Sequence, residues 1–300
     1  MTSPAPANAG KGATALDDER HVKRNPHPNF KEVEASRPDW RDDVGPRFTK
    51  TRSPDWKLGD GANDGGACLA KKHVEIDPYA EGRPVVFNYK LLISAIVPRP
   101  VGFISTRSKD GKITNVSPFS FFNMVGHDPP LFVFGFACGL ANAKDSLRNL
   151  IDSGECVINI ISEHFIEAAN AASINAPYGV SEFDLTGLHM ADATLVKAPR
   201  VQEAVFSVEA KLVETREYYS RATPGKATTV LAVVEGVRFW AREDAINEER
   251  NMVDPNVLRP MARLGGISYG RLTECIELPR PDYDTLVGQK NISESGAVNK

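Results

Sequence analysis

From residue 74 to residue 278 the chain is a series of short apolar or alternating runs of the length expected for β-strands. LFVFGF (131–136) and CVINII (156–161) are almost continuously apolar, which predicts strands covered on both faces. VFSVEAKLVE (205–214) alternates instead, which predicts a strand with one face in water, on which Glu209 would lie. The other runs complete a set of six or seven strands: VGFIST (101–106), ITNVS (113–117), TTVLAVVEGVRFW (228–240) and ISYGRL (267–272).

Turn and helix signals favour an antiparallel arrangement of these strands. Asp110-Gly111 separates VGFIST from ITNVS and predicts a tight hairpin, because glycine accepts the positive φ that such a turn requires. Only two helices are predicted, at 141–152, capped by Asn142 and ended by Ser153-Gly154, and at 163–173. Strands joined mostly by hairpins, with few helices, predict a mainly β fold in which the sheet closes into a barrel.

The N-terminal region follows a different pattern. The first 50 residues carry nine Lys/Arg, eight Asp/Glu and six prolines but only four Leu, Ile or Val, too few to form a core. Residues 1–35 are therefore predicted to be a disordered tail, and 36–74 an extended arm packing on the body. A floppy linker is the alternative for 36–74. The folded domain would span 75–278 and a C-terminal tail 279–300. The anchors of the arm would be Trp40, Phe48, Trp56 and Leu58.

Composition and charge narrow the class of protein. Of the 300 residues, 41% are hydrophobic and 25% charged, the proportions of an ordinary soluble chain. The net charge of −3 argues against nucleic-acid binding. No apolar run approaches the roughly 20 residues that cross a bilayer, and the N-terminus lacks the apolar segment of a secretory signal. A cytoplasmic protein with neither a membrane nor a nucleic-acid partner is expected.

Cysteine and histidine spacing gives no indication of a metal site. No two cysteines form C-x-x-C, and no two histidines form H-x-H or H-x-x-x-H, so neither a zinc ribbon nor a local metal site is expected. The simplest interpretation is four reduced, buried thiols. They are Cys68, Cys138, Cys156 and Cys275.

The main candidate for ligand chemistry lies at the start of the helix predicted at 141–152. The sequence has no dinucleotide-binding G-x-G-x-x-G, no P-loop and no G-x-S-x-G motif. Lys144, Asp145 and Ser146 would occupy the first helical turn, where unpaired N–H groups and the helix dipole favour a phosphate. Simple capping of the helix by Asn142 and Asp145 is the alternative. Hydroxyl and amide groups nearby in the sequence are Ser105, Thr106, Asn115, Ser117, Ser120 and Asn123.

Two further segments and one histidine are candidates for the same site. SPFSFFN (117–123) could lay its backbone along the edge of a planar heterocycle, although an irregular core strand has the same pattern. In RLGGISYGR (263–271) the paired glycines Gly265 and Gly266 allow close backbone approach to another chain or a ligand, and Arg263 offers a planar fork for an anion. A helix C-cap followed by a strand is the alternative there. His164 is a candidate proton donor, or simply an exposed residue at a helix start.

Seven motifs in order resemble the flavin reductase-like proteins with an FMN-binding split barrel. They are VPRPVGFIST (97–106), the KDGK hairpin (109–112), NVSPFSFFN (115–123), DPP (128–130), KDSLRN (144–149), CVINIIS (156–162) and RLGGISYG (263–270). The resemblance covers about residues 75–278. The stretch from 36 to 74 resembles the N-terminal extension of fungal members.

This resemblance implies a six-stranded antiparallel split barrel with Greek-key topology, working as a homodimer that binds FMN near the dimer interface. The phosphate would meet Ser105 or Thr106 together with Ser117, Lys144 and Ser146. The isoalloxazine edge would follow the 119–123 segment, and Arg99-Pro100 would approach the ring. Arg263 and Tyr269 would close the site, from the same subunit or from the second one. The candidate cofactor-binding residues are Arg99, Pro100, Ser105, Thr106, Asn115, Ser117, Phe119, Ser120, Phe121, Asn123, Lys144, Ser146, Arg263 and Tyr269. His164 is the candidate catalytic residue.

The implied activity is that of a flavin-dependent oxidoreductase. NAD(P)H would act as a transient reductant that delivers hydride to flavin N5, a step that needs orientation rather than an acid or base. The electrons would pass to a small-molecule substrate or electron acceptor. Two alternatives stay open: an FMN-dependent oxidase or oxygenase acting on a small organic substrate, and a non-catalytic FMN-binding redox module.

Overall fold

The computed structural model describes residues 25–283, so the predictions for residues 1–24 and 284–300 lie outside the described part of the chain. The described residues form two compact units. The larger unit contains the residues up to 41 together with 77–272, and the smaller contains 42–76 together with the residues from 273 onward. No helix among the described residues has the length and apolar character needed to cross a membrane.

The secondary structure consists of short helices and strands of two to fifteen residues. The α-helices are α1 (Phe30–Ala35), α2 (Val85–Ala95), α3 (Asp145–Ser153), α4 (Ile166–Ala171), α5 (Glu182–Thr186) and α6 (Pro255–Leu258). The strands are β1 (Arg47–Phe48), β2 (Gly102–Arg107), β3 (Thr114–Phe119), β4 (Phe122–Met124), β5 (Leu131–Phe136), β6 (Glu155–Ile160), β7 (Met190–Ala191), β8 (Arg200–Val201), β9 (Phe206–Tyr219), β10 (Ala227–Ala241), β11 (Met261–Arg263), β12 (Tyr269–Arg271) and β13 (Glu274–Cys275).

A seven-stranded sheet in the order β3-β2-β6-β9-β10-β5-β4 dominates the larger unit, and every pairing in it is antiparallel. The rings of Phe119 and Phe136 lie 4.9 Å apart, which brings one end of the sheet towards the other. Gly135 contributes to this curl, because a Cβ there would lie 3.0 Å from the Cβ of Phe121. The predicted mainly β split barrel is confirmed, with seven strands in place of six.

The predicted hairpin and the end of the first predicted helix are confirmed. β2 and β3 pair through a turn in which Gly111 has φ +77°. α3 ends at Gly154, which has φ +75° and donates its N–H to the carbonyl of Leu150. The start of this helix is shifted: Asn142 lies in a separate 3-10 turn and does not cap α3, whose N-cap residue is Lys144.

Burial of the strands differs from the expectation at two places. β6 is buried on both faces, as CVINII predicts. β5 is not, because only alternate residues, Phe132, Phe134 and Phe136, are fully covered. Along the predicted wet face of β9, Lys211 is exposed as predicted. The prediction is wrong for Ser207 and for Glu209, which has no exposed surface. Its carboxylate accepts hydrogen bonds from the backbone N–H groups of Thr194 and Leu195, in a loop that covers this face.

α2 lies outside the two helices predicted from the sequence. Its apolar residues are spread around the helix, so they form no single stripe of the kind that identifies a surface helix. Ile93 is its one buried residue, while Phe87, Leu91 and Leu92 stay exposed. Gly265 packs directly on this helix, because a Cβ there would lie 3.2 Å from the Cα of Ser94. The close approach predicted for the paired glycines is therefore to another part of the same chain.

The smaller unit is largely irregular. β1 and β13 pair in parallel, and Arg47 forms an ion pair of 3.3 Å with Glu274. The side chain of Cys68 and the backbone N–H groups of Cys68 and Gly66 hydrogen-bond to the carboxylate of Asp64, so the pKa of Asp64 is lowered. The aromatic anchors predicted for the 36–74 arm all retain substantial exposure. The prediction that this segment packs on the barrel stays a prediction.

The four cysteines are free thiols, but they are not uniformly buried. Cys156 is fully covered in β6, and burial raises the pKa of its thiol to about 12. Cys138 and Cys275 are partly covered, and Cys68 is exposed in the irregular smaller unit. The prediction of four buried thiols is therefore wrong for Cys68.

A buried carboxylate joins two arginines on the outer side of the barrel. Glu163 forms ion pairs with Arg259 at 2.6 Å and with Arg271 at 2.8 Å. Burial raises the pKa of Glu163, but the hydrogen bonds and charges of the two arginines outweigh this effect and hold the pKa below its ordinary value. The guanidinium of Arg271 also lies 3.8 Å from the ring of Trp40.

We expect this carboxylate to make stability depend on pH in the acid range. A depressed folded-state pKa contributes stability above the unfolded value, about 4.3, and that stability is lost as the pH falls through the folded-state pKa. Glu163→Gln should lower the free energy of unfolding at pH 7 by about 2–4 kcal/mol. Urea unfolding at several pH values should show this difference shrinking below pH 4. A difference that is constant from pH 7 to pH 3 would contradict the assignment.

Candidate functional site

A cavity of about 630 Å³ in the larger unit lies between the β3 edge of the sheet, α3, α2 and the turn between β11 and β12. Ten of the fourteen predicted cofactor-binding residues line it: Arg99, Asn115, Ser117, Phe119, Ser120, Phe121, Lys144, Ser146, Arg263 and Tyr269. These residues come from four separate stretches of sequence. The start of α3 and residues 117–121 therefore line the same cavity.

β3 forms one wall, and its backbone is open on the side facing away from β2. The N–H of Val116 donates to the carboxylate of Glu182 at 3.2 Å rather than to β2, so this side of the strand is available to partners other than a strand. Pro118 lies two residues further along the same side. Because proline has no N–H, it prevents another strand from pairing here. The wall therefore combines the outer edge of the β3 backbone with the rings of Phe119 and Phe121.

The start of α3 forms the polar end of the cavity. Its N-cap residue, Lys144, makes no side-chain cap hydrogen bond, so backbone N–H groups of the first turn lie next to the side chain of Lys144. Ser146 donates its hydroxyl proton to Oδ1 of Asn115, and Nδ2 of Asn115 donates to Glu182 at 2.8 Å. This buried chain of hydrogen bonds fixes the start of α3 against β3.

Two carboxyl groups at this end lie in a poorly solvated environment. Burial raises the pKa of Asp145, although the charge of Arg148 acts in the opposite direction. Burial also raises the pKa of Glu182, against the hydrogen bonds that it accepts, and the nearby Asp145 adds to the increase. The negative charge of these two carboxyl groups therefore decreases as the pH falls, and it does so from a higher pH than for exposed carboxyl groups.

Two arginines form the opposite end of the cavity. Arg99 and Arg263 pair through their backbones, each N–H donating to the other's carbonyl. Arg99 is 8% exposed, and its guanidinium donates to the carbonyls of Ile93, Ile96 and Leu264. Burial, with the charge of Arg263, lowers the pKa of Arg99.

These two guanidinium groups retain unused donors. Nε of Arg99 and Nη1 of Arg263 are buried without a hydrogen-bond partner among the described residues. Arg263 also lies over the ring of Tyr269, 4.3 Å from its centre. Buried donors without partners are costly, and both arginines line the cavity, so this end is suited to an acceptor or anionic group of a ligand.

The strand register separates the two ends. Asn115 lies opposite Thr106, and Phe119 lies opposite Gly102, four residues further along β2. Four residues of β-strand span about 13 Å, and Arg99 lies beyond Gly102 in the same direction. A ligand that reaches both ends must therefore be elongated.

Five predicted site residues do not line the cavity. Ser105 is buried and donates to the carbonyl of Pro199 on the other face of the sheet. Thr106 is buried beneath the cavity, where its hydroxyl accepts from Asn149 at 3.2 Å. Pro100 and Asn123 lie outside the lining, and Asn123 is exposed in β4. His164 is exposed, and a ring nitrogen lies 3.0 Å from the carbonyl of Glu203.

Other lining residues were missed by the sequence analysis. Tyr89 and Ile93 come from α2, and Glu182 from α5, each far in sequence from the motifs. The signal for Glu182 is weak: an acidic residue in a short SEFDLTG segment ordinarily suggests an exposed helix start. Asn170, Ser173 and Asn175, near the end of α4, complete this side of the wall.

Comparison with known proteins identifies the family. The flavin reductase like domain matches residues 94–258. An uncharacterized protein of Aquifex aeolicus is 37% identical over 183 residues, 60% of this chain and 88% of that protein. Another, of Deinococcus radiodurans, is 31% identical over 221 residues, 71% of this chain and 93% of that protein.

Solved structures give the same result. Nitrilotriacetate monooxygenase component B from Bacillus cereus superposes with a TM-score of 0.64 at 31% identity, covering 70% of this chain and all of that one. The 2-nitrobenzoate 2-nitroreductase NbaA of Pseudomonas fluorescens superposes with a TM-score of 0.60 at 27% identity, covering 71% and 98%. The family match and the similar structures thus identify a flavin-related oxidoreductase. The chain belongs to the flavin reductase-like family, as its motifs predicted.

Proposed function

We propose that the protein binds FMN in the 630 Å³ cavity, takes hydride from NAD(P)H as a transient reductant, and passes electrons to a small-molecule acceptor. The observation that carries this proposal is the joining of three features in one cavity: the open edge of β3, the uncapped start of α3 with Lys144, and the unpartnered donors of Arg99 and Arg263. The volume lies within the roughly 300–1,000 Å³ of small-molecule sites.

The residues of the cavity fit an elongated ligand with an anion at one end and a planar ring at the other. Lys144 and the backbone N–H groups of α3 are suited to the phosphate. The β3 edge from Ser117 to Phe121 is suited to the hydrogen-bonding edge of a planar ring. Arg99 and Arg263 offer unused N–H donors at the far end of that ring. The side chains of Ser105 and Thr106 belong to the supporting interior instead.

A bound flavin supplies the capacity to accept a hydride and release electrons singly or in pairs. The protein's task is to orient it. The hydrogen bonds from Ser146 to Asn115 and from Asn115 to Glu182 hold α3 in place relative to β3, which keeps both ends of the site at fixed separation. The two arginines place positive charge beside the ring. No side chain has to transfer a proton in the hydride step, and the position of His164 outside the cavity is compatible with that.

A homodimer with the cavity near its interface is part of this proposal. α2 contributes Ile93 to the cavity wall and leaves Phe87, Leu91 and Leu92 exposed. Exposed apolar residues grouped on one helix are typical of an interface between protein chains. Light scattering coupled to size exclusion should give twice the 32.8 kDa chain mass, and a monomeric mass would contradict this part of the proposal.

The test of the proposed function is a visible absorption spectrum of the purified protein after addition of FMN and removal of the free flavin. We expect retained flavin bands, and bleaching of these bands on anaerobic addition of NADH or NADPH. A protein that neither retains FMN nor catalyses the reduction of added flavin by NADH or NADPH would overturn the proposal. Retained flavin that neither nucleotide bleaches would favour the alternative of a redox-storage module over a reductase.

A further inference from the structure

A second cavity of about 700 Å³ adjoins the first within the larger unit. Residues 25–37, which precede the matched family domain, form one side of it, and α2 and the turn after β11 form the other. Tyr89, Ile93, Gly266 and Tyr269 line both cavities. A single extended ligand can therefore occupy the first cavity at one end and the second at the other.

The second cavity is cationic. Arg37 and Lys90 line it, and its lining includes no aspartate or glutamate. Neither cation forms an ion pair within residues 25–283, although Arg37 lies 5.7 Å from the ring of Phe30. Arg99 and Arg263, with their unpartnered donors, lie just beyond the shared wall. Positive charge therefore continues from the first cavity into the second without a neutralising carboxylate.

Aromatic rings accompany this charge. Phe30 from α1, Tyr89 from α2 and Tyr269 from β12 all line the second cavity and are partly buried. Partly covered rings provide flat surfaces on which a nucleobase can stack, worth about 1–3 kcal/mol per base in nucleic-acid complexes. Cations beside such rings match a ligand that combines a base with phosphate groups.

We propose that this second cavity binds the adenosine phosphate half of NAD(P)H, while the nicotinamide half extends past Tyr89 and Tyr269 into the first cavity. The inference rests on the proposed function, because it names the site of its hydride donor. It assigns a role to residues 25–37. It also explains why two cations that form no ion pair within residues 25–283 lie beside three aromatic rings.

Titration calorimetry with ADP as the probe tests the cavity without any turnover. The flavin-loaded protein should bind ADP, and the double variant Arg37→Ala/Lys90→Ala should bind it about 5- to 30-fold more weakly, the effect of two exposed charge contacts. Lys31→Ala is the matched control, because Lys31 is a cation of α1, six residues before Arg37, that does not line the cavity and pairs with Glu34. An equal loss in the control, or no loss in the double variant, would overturn the proposal.

A truncated donor gives the second test. The kcat/KM for NADPH should fall about 5- to 30-fold in the double variant, whereas that for reduced nicotinamide mononucleotide, which lacks the adenosine half, should stay unchanged. Equal losses with both donors would place the effect at the flavin and overturn the assignment. If neither donor bleaches retained FMN, the proposed function fails, and the ADP titration still decides on the second cavity. Unchanged melting temperatures verify that the variants are folded.

Discussion

Replacing Glu209 by alanine is expected to lower the free energy of unfolding by about 3–5 kcal/mol. The carboxylate has no exposed surface and accepts three hydrogen bonds, from the backbone N–H groups of Thr194 and Leu195 and from Nε1 of Trp240, at 2.6–2.8 Å. Alanine would leave these three donors without an acceptor in the interior. Urea unfolding followed by far-UV circular dichroism at pH 7 measures the loss.

Two matched variants separate the hydrogen bonds from the general effect of removing a charge. Glu209→Gln keeps an acceptor oxygen, so its loss should be about half as large or less. Glu214→Gln, at an exposed position of the same strand, should stay within about 0.5 kcal/mol of the native protein. An alanine variant as stable as the native protein would show that the loop containing Thr194 does not depend on this carboxylate.

pH adds a signature to the same experiment. Burial raises the pKa of Glu209, but the hydrogen bonds from Thr194, Trp240 and Leu195 outweigh it and lower the pKa. The stability contributed by a depressed pKa is present above the unfolded value and disappears as the pH falls through the folded one. The difference between the native protein and Glu209→Gln should therefore narrow in acid.

Glu209 also shows which part of the fold the sequence could not predict. The alternation of apolar and polar residues in β9 correctly predicts that the segment is a strand. Whether the polar face is wet depends on a loop, Thr194–Leu195, whose position results from contacts far apart in sequence. The β2–β3 hairpin was predictable because its determinant, Gly111, is local. α2 was not, because its apolar residues do not share one face.

The candidate site also has residues that local motifs could predict and residues that they could not. Residues of contiguous motifs, such as Ser117 to Phe121 and Lys144, were placed together correctly because the motifs lie on neighbouring elements. Ser105 or Thr106 was predicted to meet the phosphate, and successive residues of a strand point to opposite faces. The side chain of Ser105 points towards Pro199, and neither Ser105 nor Thr106 lines the cavity. Tyr89 and Ile93 enter from α2, which no local motif connects with the site.

Lys144→Ala is expected to weaken FMN binding by about 1.5–3 kcal/mol, or roughly 10- to 150-fold, the contribution of a charge-assisted contact to phosphate. Lys144 is the N-cap residue of α3 and lines the cavity, so its side chain and the free N–H groups of the first turn lie at the same end. Fluorescence titration of the apoprotein with FMN measures the dissociation constant. Lys144→Arg, which preserves the charge, should recover part of the affinity.

Riboflavin makes this experiment specific, because it has the ring of FMN without the phosphate. The affinity for riboflavin should be nearly equal in the native protein and in Lys144→Ala, since only the phosphate contact is removed. Arg148→Ala, a cation on the same helix that does not line the cavity, should change the affinity for FMN by less than about threefold, as exposed charges act weakly through water. If Lys144→Ala weakens both ligands equally, the lysine supports the fold of the site and the phosphate lies elsewhere. In that case we expect the phosphate at the other two cations that line this cavity, Arg99 and Arg263, each of which has an unpartnered donor.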